Sequence, residues 1–462
     1  MAPIGNSAAA RDIAHLVHPY TNLATHAVKG PLILSRGKGI HVYDDGGREY
    51  IEGMAGLWCT SFGFGEEELV EAAVEQMRKL PYYHGFTGKS TEPSIELAEK
   101  LKALMPFPAS KVFFTNSGSE ANDTQVKLIW YYNNALGRPH KKKIISRVKG
   151  YHGVTVASAS LTGLPNNHRD FDLPIAGITH TACPHFYRFG EAGESEEAFA
   201  TRMADTLEQK ILEEGPDTVA AFIAEPLMGA GGVLLPPATY FEKVQAVLAK
   251  YDVLFIDDEV ICGFARTGNM FGAETFGMHP NSMSVAKALS SAYLPIAACV
   301  FDEAIYQALE DQSRKIGTFA HGYTYSGHPA CAAVAVKTLE LMERRNVLGH
   351  VRDVMPAFQR RLHAFADHPL IGEARGVGLI GAVELVADKK TKRSFDPTRA
   401  VGPTLVNFAQ EHGLILRAIG DSIAFCPPLI ISEGEITEMF DRFSKALDDT
   451  EAWVHRENLR AV

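Results

Sequence analysis

The chain has 462 residues, of which 46% are hydrophobic and 22% are charged, and its formal net charge is -10. This composition is typical of a globular protein with a large core, and the acidic balance argues against nucleic acid as a partner, which would favour a basic face. We expect neither a membrane span nor a signal peptide, because no uncharged apolar run is long enough and the first residues lack a basic and an apolar region.

The first part of the chain predicts little regular structure. Residues 1–35 are expected to form an irregular arm with short helical pieces. Residues 40–51 predict a hairpin, because their alternating pattern stops at Asp-Asp-Gly-Gly, which supplies turn geometry, and then resumes. Apolar residues at helical spacing predict a helix over 66–79.

Strands and helices then alternate. Strands are predicted at 112–115, 143–147, 218–225, 253–257, 282–285 and 296–301, with helices ending near 133 and spanning 237–250. Continuous apolar strands separated by helices predict a mostly parallel sheet covered by helices on both faces. The three lysines at 141–143 predict a solvated turn before a strand.

The pattern changes after about residue 330. Two helices, at 332–344 and 349–366, precede apolar stretches at 376–385 and 413–417, which predicts a smaller α+β unit. We therefore predict an α/β fold in three segments. These are an arm with part of the small domain (1–70), a large domain (71–329) and a C-terminal small domain (330–462).

The six cysteines bear on location and on metal binding. They are scattered along the chain with no zinc-finger spacing. This distribution predicts reduced thiols, no metal site and a cytoplasmic protein.

A carboxylate at a strand end and a later lysine are the most informative residues. The apolar run at 253–256 ends in Asp257 and Asp258, and Lys287 follows among small residues. An enzyme that holds pyridoxal phosphate needs such a pair, because the lysine forms the imine and the acid keeps the ring nitrogen protonated. By itself the pair is weak evidence for such a site, since an Asp–Lys pair more often forms a salt bridge.

Further polar groups follow neighbouring strands. Gly118 and Ser119 open a helix whose unpaired amides suit a phosphate, although an ordinary helix with Ser119 as N-cap is the alternative. Tyr151 lies between glycines after the next strand and could stack on a flat ring, and Glu225 ends another strand. The carboxyl ends of parallel strands share one edge of a sheet, so these side chains should converge there.

Five motifs in this order resemble the class III (omega) aminotransferases, which are pyridoxal phosphate enzymes of fold type I. They are residues 116–123, 150–153 and 258–264, Lys287, and residues 321–329. Residues 56–59 and 416–417 are similar to the branch that moves amino groups between amines and pyruvate. The resemblance implies a large domain with a mostly parallel central sheet and a smaller α+β domain drawn from both termini.

The resemblance also implies a role for each matching residue. Lys287 and Asp258 would be catalytic, the first bound to pyridoxal 5'-phosphate and the second paired with its ring nitrogen. The other residues expected at the cofactor are Gly118, Ser119, Tyr151, His152, Glu225 (orienting Asp258), Val260, Tyr323 and Thr324. The amine pocket would be formed by Tyr20, Trp58, Phe86, Tyr151 and Ala230, with Arg417 binding the carboxylate of the amino acceptor.

The implied partners are an amine donor, a keto acid acceptor and a second copy of the chain. Thr324, with the Tyr323 backbone, would complete the phosphate site of the other subunit, which implies a homodimer with shared active sites and leaves a tetramer open. The expected reaction moves an amino group from a primary amine or ω-amino acid to a keto acid such as pyruvate, by a ping-pong mechanism through Lys287. A decarboxylase, racemase or aminomutase on the same scaffold is the enzymatic alternative, and a non-catalytic binding protein is the third.

Four residues depart from the family pattern. Asp257 stands where the family often has alanine, and Ala265, Ala288 and Ala292 stand where glycine is usual. Adjacent strand residues point to opposite faces, so only one of the two aspartates can face the ring. The register of the motif selects Asp258.

Overall fold

The structure, a computed structural model, describes residues 7–460. Its strands are β1 (Leu34–Lys38), β2 (His41–Asp44), β3 (Glu49–Glu52), β4 (Ala109–Thr115), β5 (Lys143–Arg147), β6 (Ile178–Thr181), β7 (Val219–Ala224), β8 (Leu254–Asp258), β9 (Ser282–Val285), β10 (Ala297–Asp302), β11 (Ile371–Val377), β12 (Ile380–Leu385), β13 (Leu414–Ile415), β14 (Arg417–Ile419) and β15 (Ser422–Phe425).

The α-helices separate and cover these strands. They are α1 (Ala8–His15), α2 (Leu23–Lys29), α3 (Ala55–Trp58), α4 (Glu67–Lys79), α5 (Glu92–Leu104), α6 (Gly118–Ala135), α7 (Val156–Leu161), α8 (Phe186–Phe189), α9 (Glu196–Glu214), α10 (Tyr240–Lys250), α11 (Gly272–Phe276), α12 (Glu303–Ile316), α13 (Pro329–Arg344), α14 (Val347–Ala364), α15 (Val401–Glu411) and α16 (Glu433–Arg456). Within the described range, no helix is both long and apolar enough to cross a membrane.

A seven-stranded sheet forms the centre, in the order β4-β10-β9-β8-β7-β5-β6. The pairs β5–β6, β5–β7, β7–β8 and β8–β9 are parallel, and β10 runs antiparallel to both of its neighbours. Every residue of β7 is buried, as expected for a strand with helices on both faces. The predicted mostly parallel sheet is confirmed.

Two four-stranded sheets lie outside the central one. The first of these sheets has the strand order β1-β2-β3-β13 and contains strands from both ends of the chain. Leu414 of β13 pairs with Ile51 of β3. The other sheet, β11-β12-β15-β14, is antiparallel. A smaller α+β unit built from both termini is thus confirmed, while the domain boundaries after residues 70 and 329 stay predictions.

The prediction of a solvated turn at 141–143 is wrong for its first residue. Lys141 is buried, and its Nζ donates to the carbonyl of Tyr251 at 3.1 Å and lies 3.8 Å from the carboxylate of Asp252. The end of α10 supplies these acceptors, and no local sequence pattern reveals this long-range contact.

Candidate active site

A cavity of about 340 Å³ lies beyond the carboxyl ends of the central strands. Eight of the ten residues predicted to bind the cofactor line it, namely Gly118, Ser119, Tyr151, His152, Glu225, Asp258, Val260 and Lys287. The fold therefore brings the predicted lysine and carboxylate into one space. Among the described residues Asp258 pairs with His152 and not with Lys287, so the two do not form the salt bridge that was the simpler expectation.

Asp258 is held by three donors at the end of β8. Its Oδ2 accepts hydrogen bonds from Asn122 Nδ2 at 2.7 Å and His152 Nδ1 at 2.8 Å, and its Oδ1 accepts from the Val260 amide at 3.2 Å. Donors aimed at a buried carboxylate fix its orientation. Sequence reasoning missed Asn122, although its position one turn after Gly118 in α6 places it on the same side of the helix.

Glu225, which was expected to orient Asp258, hydrogen-bonds to backbone amides in the described part of the chain. Its Oε1 accepts from the amide of Tyr151 at 2.9 Å and its Oε2 from the amide of Gly229 at 3.0 Å. Burial raises the pKa of Glu225, the charge of His152 opposes this, and the nearby charge of Asp258 raises it further. Glu225 therefore fixes the backbone that presents Tyr151, while Asn122 and His152 hold Asp258.

The start of α6 faces the cavity. Ser117 is the N-cap, since its Oγ accepts from the Glu120 amide at 3.2 Å, so the alternative that Ser119 caps this helix is wrong. Gly118 permits close packing, because a Cβ there would lie 3.1 Å from both methyl groups of Val260. The free amides of the first turn suit an anion such as a phosphate.

Lys287 begins a 3₁₀ turn that follows β9 (Lys287–Ser290). The residue is half-buried, and its φ of 46° lies in the left-handed region that L-residues avoid. Such strain persists only where surrounding structure enforces it, and it is concentrated at functional sites. The turn directs the chain so that the side chain lines the cavity.

Tyr20, Tyr151 and Arg417 come together at one side of this cavity. Burial raises the pKa of Tyr151, the neighbouring Tyr20 hydroxyl raises it further, and the charge of Arg417 opposes both. Burial lowers the pKa of Arg417, whereas the two tyrosines oppose that shift. A half-buried guanidinium next to hydroxyl groups is well suited to bind a carboxylate through two parallel hydrogen bonds.

Other predicted pocket residues are more distant. Trp58 is buried in a cluster with Ile261, which itself lines the cavity, and Ala230 is buried in the turn after Gly229. Phe86 and Tyr323 instead line a second cavity of about 1190 Å³. Thr324 is exposed, and the Tyr82 hydroxyl donates to its carbonyl at 2.8 Å. Within one chain, Phe86, Tyr323 and Thr324 therefore do not reach Lys287.

The four departures from the family pattern have different structural consequences. Asp257 is fully buried on the other face of β8, and burial followed by the charge of Glu259 raises its pKa well above the ordinary range. Ala265 and Ala292 adopt left-handed backbone with φ of 74° and 61°, whereas Ala288 lies inside the 3₁₀ turn without a positive φ. Asp258, the aspartate that the motif register selects, lines the cavity, and glycine would suit two of the three alanine positions better.

Comparison with known proteins agrees with this geometry. The family model for class III aminotransferases matches residues 23–447. The chain is 54% identical over 424 residues to the chloroplastic gamma aminobutyrate transaminase 3 of Solanum lycopersicum, covering 91% of this chain and 81% of that one.

Solved structures give the same result. An omega transaminase from Pseudomonas jessenii in complex with PMP superposes with a TM-score of 0.96 at 56% identity, covering 97% of this chain and 99% of that one. A thermostable omega transaminase variant, W58M/F86L/R417L, engineered for asymmetric synthesis of enantiopure bulky amines, has a TM-score of 0.95 at 56% identity and covers 97% and 100% of the two chains.

Proposed function

The chain belongs to the class III aminotransferases, and we propose that it moves the amino group of a primary amine or ω-amino acid to a keto acid, with pyruvate as acceptor. Enzymes of this family use pyridoxal phosphate. The residues present fit that group, because one cavity combines an amine, a carboxylate, an aromatic ring and the amides of a helix start. The juxtaposition of Lys287 and Asp258 is the observation that carries the proposal.

The catalytic roles follow from the two titratable side chains. When bound, the cofactor supplies an electron sink for the negative charge that develops at the substrate carbon. Asp258, held in place by Asn122 and His152, would keep the ring nitrogen protonated. Lys287 holds the cofactor between turnovers and moves a proton to and from the reacting carbon.

The remaining cavity residues would bind and orient the cofactor. Tyr151 and Val260 would pack on opposite faces of the ring, and Gly118 and Ser119 would bind the phosphate from their helix start. Val154 donates its amide to Ser119 Oγ at 3.1 Å, which leaves the hydroxyl hydrogen free to point at an anion.

We propose that the active unit is a homodimer with shared sites. Neither Phe86 nor Thr324 lines the cavity that contains Lys287, and both are exposed in their own chain. A second copy would bring Thr324 to the phosphate and Phe86 to the substrate pocket. Whether two such dimers pair into a tetramer is a separate property on which the proposed mechanism does not depend.

Arg417 would select the keto acid. Its guanidinium lies beside two tyrosines, where a substrate carboxylate could displace water and form two charge-assisted hydrogen bonds. Trp58, Phe86 and Arg417 have the same residue types and numbers as the positions substituted in the variant engineered for bulky amines. This agreement supports a substrate pocket formed by these three residues together with Tyr20, Tyr151 and Ala230.

The names of the curated relatives bear on the donor and on location. Gamma aminobutyrate is an ω-amino acid, so the relatives favour this donor class alongside simple primary amines. The same names place those proteins in chloroplasts or mitochondria. For this chain we propose a reducing compartment, the cytoplasm, since all six cysteines are free and five of them are buried.

A product assay tests the proposed reaction. Purified protein incubated with pyridoxal phosphate, pyruvate and either a simple primary amine or gamma aminobutyrate should form alanine. Lys287→Ala should form none, because the residue that moves the proton is gone. Release of carbon dioxide from an amino acid without alanine formation would favour a decarboxylase instead. A wild-type protein that stays colourless after addition of pyridoxal phosphate would favour a non-catalytic binding protein.

A further inference from the structure

We propose that Asp12, His18 and His26 form a clamp that positions Tyr20 for binding of the keto acid, an inference that rests on the proposed function. The Nε2 atom of His18 lies 2.9 Å from both carboxylate oxygens of Asp12. The Nε2 atom of His26 lies 2.9 Å from one of those oxygens. The centres of the two imidazole rings are 4.3 Å apart.

These three groups satisfy one another. With a proton on Nε2 of each imidazole, both rings donate to the one carboxylate, and its lone pairs accept both hydrogen bonds. The side chains of Asp12 and His26 are only 9% and 10% exposed, so water competes weakly for these contacts. The clamp therefore needs no bound ion to explain its geometry.

The clamp closes a loop that carries Tyr20. His18 precedes the tyrosine and His26 lies in α2, so both ends of the segment 18–26 are tied to a single side chain of α1. Tyr20 has a φ of 50°, in the left-handed region. The tyrosine is itself 64% exposed, so its own packing contributes little to holding it in place.

The tip of Tyr20 nevertheless lies beside Tyr151, which lines the cavity. Its hydroxyl accepts a hydrogen bond from Asn167 Nδ2 at 2.7 Å and lies next to the hydroxyl of Tyr151. Burial lowers the pKa of Arg417, and Tyr20 lies close enough to oppose that shift. The three side chains of the clamp are each less than a third exposed. The clamp thus holds the more exposed Tyr20 next to Arg417, which would bind the carboxylate of the acceptor.

Breaking the clamp should therefore weaken substrate binding more than chemistry. The loop would become mobile, so binding of the keto acid would also have to order Tyr20. The loss of conformational entropy would then make the free energy of binding less favourable. Ordering one residue accounts for roughly a tenfold change in affinity. We expect Asp12→Ala to raise the KM for pyruvate roughly tenfold, with kcat and cofactor retention changed less than about twofold.

A double-mutant cycle tests this assignment on the holoenzyme. The KM for pyruvate is measured for wild type, Asp12→Ala, Tyr20→Ala and the double variant, with His15→Ala as the control, because His15 is an exposed histidine of the same helix. If the clamp acts through Tyr20, Asp12→Ala raises KM in the wild-type background and adds nothing once Tyr20 is removed. An unchanged KM, or equal increases in both backgrounds, would overturn the proposal.

A second pair of variants covers the case in which Asp12→Ala does not fold. His26→Ala removes one donor, whereas His26→Gln keeps an amide donor near the carboxylate. The proposal expects KM to rise in the first and to return most of the way in the second, and equal KM values in both would contradict it. Failure of the proposed function is distinguishable, because the wild-type protein would then form no alanine at all.

Discussion

The residues of the site differ in how well their roles and contacts could be predicted from the amino-acid sequence. Lys287 and Asp258 could be predicted because their chemistry demands a particular residue type at a particular place in a motif. The hydrogen bonds around Asp258 could not, since whether Asn122 or Glu225 reaches its carboxylate depends on a helix and a strand packing at short distance. The same limit explains the wrong expectation for Lys141, whose acceptors lie more than a hundred positions away in sequence.

A buried carboxylate close to the substrate residues gives a pH prediction. Burial raises the pKa of Glu52 to about 7, and the amides of Gly56 and Met54 offset this only in part. The folded-state pKa exceeds the unfolded one, so the stability linked to Glu52 is fully present below about pH 4.5 and is lost as pH rises through about 7.

Glu52→Gln should therefore stabilise the protein at high pH. At roughly 1.4 kcal/mol per pKa unit, the gain above about pH 8 should be on the order of 3 kcal/mol, and it should shrink towards zero near pH 5. Melting temperatures of wild type and variant across this range measure it. A gain of equal size at both ends of the range would show that ionisation of Glu52 is not the cause.

At the scale of elements, prediction was most accurate where apolar runs are continuous. β5 and β9 occur at the predicted bounds, and β7, β8 and β10 within a residue or two. The C-terminal helix α16 was missed, although Ser432 and Glu435 form a capping box at its start that marks a helix N-terminus. The backbone conformation in the turn after β9 could not be predicted either. Ala292 has a positive φ there, and a glycine at that position would have indicated this conformation.

That turn offers a matched test of backbone strain. Ala292 is exposed and has a φ of 61°, a conformation that costs an L-residue roughly 1–2 kcal/mol and glycine almost nothing. Ala292→Gly should therefore stabilise the protein by about 1 kcal/mol net of the added chain entropy. Ala288→Gly is the control, because Ala288 has no such strain and should lose about 1 kcal/mol.

Denaturant unfolding of the two variants with the cofactor bound would measure these changes. The difference in sign between positions 292 and 288 is the diagnostic result. Destabilisation by both substitutions would mean that the left-handed conformation at Ala292 carries no strain that glycine can relieve.

At the scale of the whole molecule, the sequence order of the motifs predicted the fold type, whereas a complete site in the proposed homodimer would need residues of a second chain. The central sheet and the sheet joined by β3 and β13 match the expected large and small units. Phe86, Tyr323 and Thr324 lie around a different cavity or on the surface of their own chain. No local sequence pattern indicates contacts between subunits, so the roles proposed for these three residues rest on the resemblance.

Subunit complementation tests the shared site. Heterodimers are prepared by co-expression of Lys287→Ala and Thr324→Ala chains carrying different tags. If sites are shared, one site of the heterodimer receives both defects and the other receives neither, so activity should approach half of the wild-type value. Homodimers of each parent give the baselines. Both parent homodimers should have little activity, and activity of the heterodimer equal to their mean would place Thr324 in its own chain's site. A fully active Thr324→Ala homodimer would place Thr324 outside any site.

We propose that Lys287 Nζ bonds the aldehyde carbon of pyridoxal phosphate within the cavity that Asp258 lines. Borohydride reduction of the holoenzyme followed by peptide mass spectrometry tests it most directly, because reduction makes that bond permanent. We predict one pyridoxyl group per chain, located on Lys287, and loss of the label when an amine substrate is added before reduction. A label on any other lysine, or no label in a protein that forms alanine, would contradict the account.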